Sequence, residues 1–294
     1  MIDLILGIVF FNIILILFKL FARYNVDNFQ AIVVNYAVAG IIGVFMYEQP
    51  ITVKEILSFD WLYYAVLIGL IFVTVFKFLA DGTQKIGIAI ATVANKMSVV
   101  LPVIASFILY GDSVTSLKII GLVLALVGVV LTSSEKGKLN FDRKYIWLVI
   151  IIFLGQGISD ILFNYAQMTL VLPIEAPLYI SFIFLSAFAF GVVIIGIQII
   201  QKTTVLKFKN LIWGIALGIP NYLTVLYFFR ALEHGLLESS EVYPILNMGV
   251  IVLASLSGYL IFKERLAWAN WIGIVICLVA ICFISLERIL LVML

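Results

Sequence analysis

Along the chain, long apolar runs alternate with short polar breaks. The runs fall at about 3–22, 28–47, 61–80, 86–110, 114–134, 144–169, 174–201, 209–230, 236–262 and 266–287. Each approaches or exceeds the roughly 20 residues that carry an α-helix across a hydrocarbon core about 30 Å thick. Backbone groups in lipid must be satisfied within their own segment, so the pattern predicts ten transmembrane helices packed as a bundle. Ten spans consume about 200 of the 294 positions and leave too few for a separate soluble domain. The first run begins with Asp3 rather than a basic stretch, and no small-residue cleavage site follows Leu17; it reads as a span, not a removable signal.

Composition strengthens this reading. Hydrophobic residues make up 65% and charged residues 12%, against about 45–50% and about 25% in soluble domains. A water-soluble globule is excluded. The formal net charge of +2, with no basic stripe, excludes nucleic acid as a partner. The expected partners are the lipid bilayer and a small-molecule substrate; the oligomeric state is not legible. Cys277 and Cys282 lie five apart in one apolar run and turn to different sides of a helix. They offer neither a disulfide framework nor a metal cluster, and no cofactor is expected. His234, the only histidine, lies in a connection beside Glu233 and Gly235 and is a poor candidate ligand.

The chain also repeats itself. An offset of 152 places Asn95 on Asn247, Asp112 on Glu264, Gly121 on Gly273 and Ser133 on Ser285, with nine identities in 39 ungapped positions. An offset of 145 lays Ile16-Leu17-Phe18-Lys19 on Ile161-Leu162-Phe163-Asn164. Residues 1–134 and 144–294 then form two five-helix repeats joined by the polar, basic connection 135–143. An odd number of spans inserts the second copy upside down relative to the first, as in many secondary transporters. The expected fold is an all-α polytopic membrane protein, ten transmembrane helices arranged as two inverted five-helix repeats.

The repeat ends read Leu109-Tyr-Gly-Asp-Ser113, with Gly121 and Gly128 beyond, and Ile261-Phe-Lys-Glu-Arg265, with Gly273 beyond. In this the chain resembles the drug/metabolite transporter superfamily, specifically its EamA-type ten-helix members, over essentially its whole length. That family usually shows an apolar run, Gly-Glu and a Gly-containing final helix; here Asp112 replaces the Glu and Lys263 the Gly. The resemblance implies transport of a small metabolite, often amino-acid or drug export, through a cavity between the halves.

Charge bias and resemblance disagree on orientation. Connections after odd-numbered helices carry eleven Lys and Arg, the other side only Lys54, Lys118, Arg230 and Arg288. The positive-inside rule places both termini outside the cytoplasm, whereas relatives of the family usually have both inside. The expected location is a bacterial plasma membrane in either case.

Ionisable residues inside spans mark candidate sites, because each costs at least about 2.5–3.5 kcal/mol near the bilayer centre. Lys19, Lys77, Lys96, Asp160 and Glu241 qualify. Lys77 lies near a helix end, where it can snorkel or pair with Asp81 one turn away. In the sixth span Gln156, Asp160, Asn164 and Gln167 recur at spacings of four, four and three, on one face. Asn12, Lys19 and Arg23 form a comparable stripe in the first span, expected to face the axis between the halves.

The fourth span carries Thr92, Asn95, Lys96 and Pro102; its repeat mate carries Ser240, Glu241, Tyr243, Pro244 and Asn247. Each proline removes a backbone donor and frees a carbonyl about four residues earlier, and interrupted helices near the midplane are where transporters hold substrates. Lys96 is too deep to snorkel, so its expected partner is Asp160, Glu241 or an anionic substrate group. The candidate cavity residues are therefore Lys19, Asn95, Lys96, Gln156, Asp160, Asn164, Glu241, Tyr243 and Asn247. Asp160 and Glu241 are the candidate proton-coupling sites. Glu175, between Pro173 and Pro177, is expected at the interface, and Tyr222 and Tyr227 either wall a cavity or simply pack. Gly214 and Gly218 signal close helix packing.

Mixed charge of this kind suits a zwitterion such as an amino acid, and the expected function is a secondary transporter working by alternating access, an exporter by resemblance to the family, and not an enzyme. An intramembrane enzyme lacks a nucleophile with a base, its nearest approach being Asp160 with Glu241. A lipid-carrier flippase predicts polar residues along a lateral, lipid-open groove. A scaffold predicts tolerance of substitutions at Lys96, Asp160 and Asn164.

Overall fold

A computed structural model describes residues 2–86, 88–133, 143–233, 237–263 and 266–293. Most of the basic connection, together with His234, Glu264 and Arg265, lies outside the described residues. Ten apolar helical spans are found, built from α1 (Ile2–Arg23), α2 (Asn28–Met46), a short connecting α3 (Val53–Ile56), α4 (Leu62–Lys85), α5 (Ile88–Met97), α6 (Val100–Leu109), α7 (Ser116–Ser133), α8 (Ile146–Thr169), α9 (Ala176–Ile200), α10 (Phe208–Glu233), α11 (Ser239–Phe262) and α12 (Trp268–Met293). No strand occurs among the described residues.

The fourth span alone is broken, into α5 and α6. Pro102 cannot donate to the Ser98 carbonyl, which instead accepts from Leu101 N at 2.9 Å, and Val99 N reaches the Lys96 carbonyl at 3.4 Å. These tight i to i−3 turns replace the α-helical ladder, and Ser98 Oγ closes the gap on the Asn95 carbonyl at 2.5 Å. The break falls immediately after Lys96. Pro244 sits in the second turn of α11, and that span stays continuous.

Most helix packing crosses between the sequence halves. α1 packs on α10 and α11, and α8 packs on α4 and on the α5–α6 span; α2 meets α9 and α10, α9 meets α2 and α4, and α7 pairs with α12. Replacing each span by the one five places along exchanges these pairs for one another, the pattern a two-fold relation between inverted halves requires. Backbone geometry repeats too. Gly111 and Lys263, mates under the 152 offset, both end a helix region in the left-handed conformation, at φ +70° and +55°.

Close helix approach is secured by glycine. A Cβ on Gly214 would lie 2.5 Å from the Ala31 carbonyl oxygen, and one on Gly218 2.5 Å from Val38 Cβ. The GxxxG face therefore seats α10 on α2, by close packing as expected. Aromatic rings fill the interior beyond: Trp61, Tyr179, Tyr222, Tyr243 and Phe229 are all fully buried, whereas Phe45, Ile108, Ile200 and Trp268 point outward, as a lipid-facing surface allows.

Lys263 occupies a conformation that costs an L-residue about 1–2 kcal/mol and glycine almost nothing. Lys263→Gly is expected to raise the unfolding temperature of the detergent-purified protein and Lys263→Val to lower it. Equal melting of the two variants would contradict this.

Candidate functional site

The break in the fourth span fixes the floor of a central cavity of about 710 Å³. Lys96, Asn95 and Thr92 on α5 and Gln156 on α8 lie at its inner end. Its mouth is framed by Asp27 and Asn28 at the start of α2, Lys77 and Asp81 near the end of α4, and Gln198 near the end of α9. All these lie at the end of the bundle that carries the connections following odd-numbered spans. The cavity is thus open on that side. Phe11 and Phe18 of α1, Phe29 and Tyr36 of α2 and Phe76 of α4 line its walls, with Asn35 and Asn221 between them; Asn221 Nδ2 donates to Asn35 Oδ1 at 3.0 Å.

Beneath the floor a chain of hydrogen bonds links three helices. Asn95 Nδ2 donates to Gln156 Oε1 at 3.1 Å, and Gln156 Nε2 donates to Asp160 Oδ1 at 2.9 Å. Tyr243 Oη donates to the Asp160 backbone carbonyl at 2.8 Å. Asn247 Nδ2 donates to the Tyr243 carbonyl at 3.1 Å, and its Oδ1 accepts from Lys96 Nζ at 3.2 Å. Because Asn95 and Lys96 are neighbours, the chain closes on itself. The repeat mates Asn95 and Asn247 both belong to it, and their amides, like that of Gln156, can donate and accept at once.

Among the described residues Lys96 finds no carboxylate within ion-pair distance. Among the described residues the ion pairs are those of Lys118 with Glu238 and Glu241, and Lys96 instead rests 4.6 Å from the centroid of the Phe11 ring. A cation over an aromatic face gains about 0.5–2 kcal/mol, which together with the Asn247 bond offsets part of the insertion cost. The ammonium keeps donor capacity facing the cavity, since Nζ carries three protons. Asp160 lies one turn deeper than Gln156 and is not among the lining residues.

The structure separates several residues that the sequence grouped with this site. Lys19 rests 4.5 Å from the Phe262 ring centroid, and Asn12 Nδ2 donates to Ser257 Oγ at 2.8 Å, so the polar stripe of α1 faces α11 rather than the cavity. The apolar face of α1 supplies the cavity wall instead. Lys77 and Asp81 both line the mouth but make no ion pair with each other among the described residues. Tyr222 and Tyr227 do not line the cavity; Tyr227 stacks on Phe10 at 5.7 Å. Glu175 accepts from Trp61 Nε1 at 2.9 Å near the membrane boundary.

Glu241 lies at the opposite, closed end of the bundle. It is 1% exposed and 3.4 Å from Lys118 Nζ, which also pairs with Glu238 and donates to Ser113 Oγ at 2.7 Å. Burial raises and the Lys118 and Ser113 hydrogen bonds lower the Glu238 carboxyl, with the net result below the usual carboxylate range. Asp112 Oδ2 accepts from Ser240 N at 2.8 Å. Asn164 is also at this end, accepting from Ser239 Oγ at 3.3 Å and lying 3.5 Å from Ser106 Oγ. The charge count places Lys118 with a connection; in the structure α7 begins two residues before it, and its ammonium is buried against the start of α11.

An all-helical membrane bundle with a one-sided central cavity, a broken span at its floor and packing that exchanges between halves has the architecture of a polytopic membrane carrier. The model of the EamA-like transporter family matches residues 1–134. A protein of Haemophilus influenzae, itself described as uncharacterized, is 30% identical over 284 residues, 93% of this chain and 94% of its own length. One solved protein crystal structure superposes with a TM-score of 0.78 at 14% identity, covering 99% of this chain and 97% of its own, which is a likeness of fold. The chain belongs to the EamA-like transporter family.

Among the described residues Asn247 is the one side-chain hydrogen-bond acceptor for the Lys96 ammonium, so Asn247→Leu is expected to lower stability by about 1–3 kcal/mol. Lys96→Met in the same chain should recover most of that loss, because no unpaired ammonium remains. Calorimetric melting of the two single variants and the double variant checks this, and strictly additive losses would contradict the coupling.

Proposed function

We propose that the protein is a secondary transporter that carries a small polar or zwitterionic metabolite, of the amino-acid type, out of a bacterial cell through the central cavity by alternating access. The observation that carries this reading is the Lys96 ammonium at the floor of a 710 Å³ cavity, held by an amide and a ring rather than neutralised by a carboxylate contact. An anionic group of a substrate is the natural complement of such a cation. Asn95, Gln156, Asn35 and Asn221 supply neutral donors and acceptors around it, and the Phe11, Phe18 and Phe76 rings suit an apolar body.

Asp160 is the proposed protonation site for coupling to a proton gradient. Gln156 connects its carboxylate to Asn95 at the cavity floor, so a change of charge on Asp160 re-aims the amides that meet the substrate. Glu241 does not share this connection. Movement of the two sequence halves as separate bodies would break most of the interhelical packing, since most of it crosses between them. The proposed rocking units are therefore groups of helices drawn from both halves.

A lateral groove of about 440 Å³ between α5 and α8 is lined by Ile90, Val93, Ala94, Met97, Val149, Ile150, Phe153 and Leu154, all apolar. A flippase needs polar groups along such a groove to carry a headgroup. Here the polar groups are enclosed centrally, which favours the water-soluble metabolite.

A thermal-stability screen of the purified protein against a metabolite library tests the reading. A ligand at about 100 times its Kd stabilises the folded protein by about 2.7 kcal/mol. The expected hit bears a carboxylate or another anion, and its stabilisation is lost in Lys96→Ala and reduced in Asp160→Asn. Stabilisation by such a ligand that persists in Lys96→Ala would contradict the assignment.

A further inference from the structure

The end of the bundle opposite the cavity mouth contains the densest cluster of charges among the described residues, and the repeat symmetry isolates it. Lys118 is 4% exposed and Glu241 1%, while Glu238 is half-buried above them. The cluster joins the connection before α7 to the first turn of α11: Glu238 accepts from Ser113 N at 2.9 Å, and Asp112 accepts from Ser240 N at 2.8 Å. Under the 152 offset the mates of Lys118, Glu238 and Glu241 are Asn270, Ile86 and Ala89. None is charged. Asn270 donates to the carbonyls of Leu131 and Thr132 instead of making an ion pair there.

A polar seam runs from the cavity floor to this cluster. On α8 the stripe from Gln156 through Asp160 and Asn164 to Gln167 spans eleven residues, about 16 Å of helix rise. Asn164 meets Ser106 and Ser239 along it. Three buried atoms at this end, Gln167 Oε1, Tyr110 Oη and Ser240 Oγ, have no hydrogen-bond partner among the described residues. Unsatisfied buried polar groups are costly, and they are expected where a surface is buried in one state of a protein and hydrated in another.

We propose that this seam is the closed half of the translocation path and that Lys118, clamped between Glu238 and Glu241, is the latch that keeps it shut. Two identical inverted repeats would give two equal states, one open at each end. Among the described residues such a cluster exists at one end only, so it biases the chain toward the state with its mouth at the connections following odd-numbered spans. Opening the other end separates Lys118 from both carboxylates and exposes Asn164, Ser106 and Ser239 to water. A substrate shifts this equilibrium only by as much as it prefers one state over the other.

The inference rests on the transporter reading, and its test uses no substrate. In full-length protein with Cys277→Ala and Cys282→Ser, a single cysteine is placed in the seam as Ser106→Cys or in the open cavity as Thr92→Cys. Labelling rates with a water-soluble maleimide are compared in the parent and in the neutralised latch Lys118→Met/Glu238→Gln/Glu241→Gln. The expected result is reciprocal: labelling of the seam cysteine rises about tenfold and labelling of the cavity cysteine slows, with Lys118→Arg resembling the parent. Unchanged rates at both positions overturn the latch. A rise at both overturns it equally, since the cluster then staples the fold rather than gating one end. Reciprocal rates in a protein that no metabolite stabilises would leave the latch standing and remove the metabolite-carrier reading instead.

Discussion

One ammonium placed deep in an apolar span organises this molecule. Lys96 costs several times thermal energy to insert, and the structure offsets that cost without a carboxylate contact. The Asn247 amide, the Phe11 ring and access to a polar cavity take its place. Asn247 can reach it only because α11 crosses the broken fourth span, and the break exists because Pro102 cannot complete the helix. The amide chain through Asn95, Gln156 and Asp160 then extends the same polar patch into α8. Proline, cation and cavity are one feature viewed at three scales.

Much of the architecture was legible in the order of residues. Ten apolar runs became ten spans with ends displaced by a few residues, since only helices satisfy their own backbone in lipid. Asn95, Lys96, Gln156, Asp160, Tyr243 and Asn247 stand out because polar side chains within spans need a reason to be there, and the structure joins them in one hydrogen-bonded chain. The same rule cannot say which partner each finds. Lys19 and Glu241 look like Lys96 and Asp160 in the sequence, yet one rests on Phe262 and the other belongs to the closed end. The cavity walls escaped for a different reason: Phe11, Phe18 and Phe76 are indistinguishable from lipid-facing aromatics until the neighbouring helices are placed.

The departures from internal symmetry are as informative as the symmetry. Gly111 and Lys263 keep the same left-handed turn although only one is a glycine, so the backbone plan was retained where the side chain changed. At the two ends of the bundle the opposite occurred. Related positions carry Lys118, Glu238 and Glu241 at one end and Asn270, Ile86 and Ala89 at the other. In the proposed latch, a repeated geometry supplies the two ends and the difference in side chains makes them unequal in energy.

The central claim, that substrate meets protein at the floor of the one-sided cavity, is tested most directly by an experimental structure with a stabilising metabolite bound. The ligand is expected between α1, α5 and α8, with an anionic group within hydrogen-bonding distance of Lys96 Nζ and its body against Phe11 and Phe18. A ligand found instead in the apolar lateral groove between α5 and α8, with Lys96 still donating only to Asn247, would contradict it.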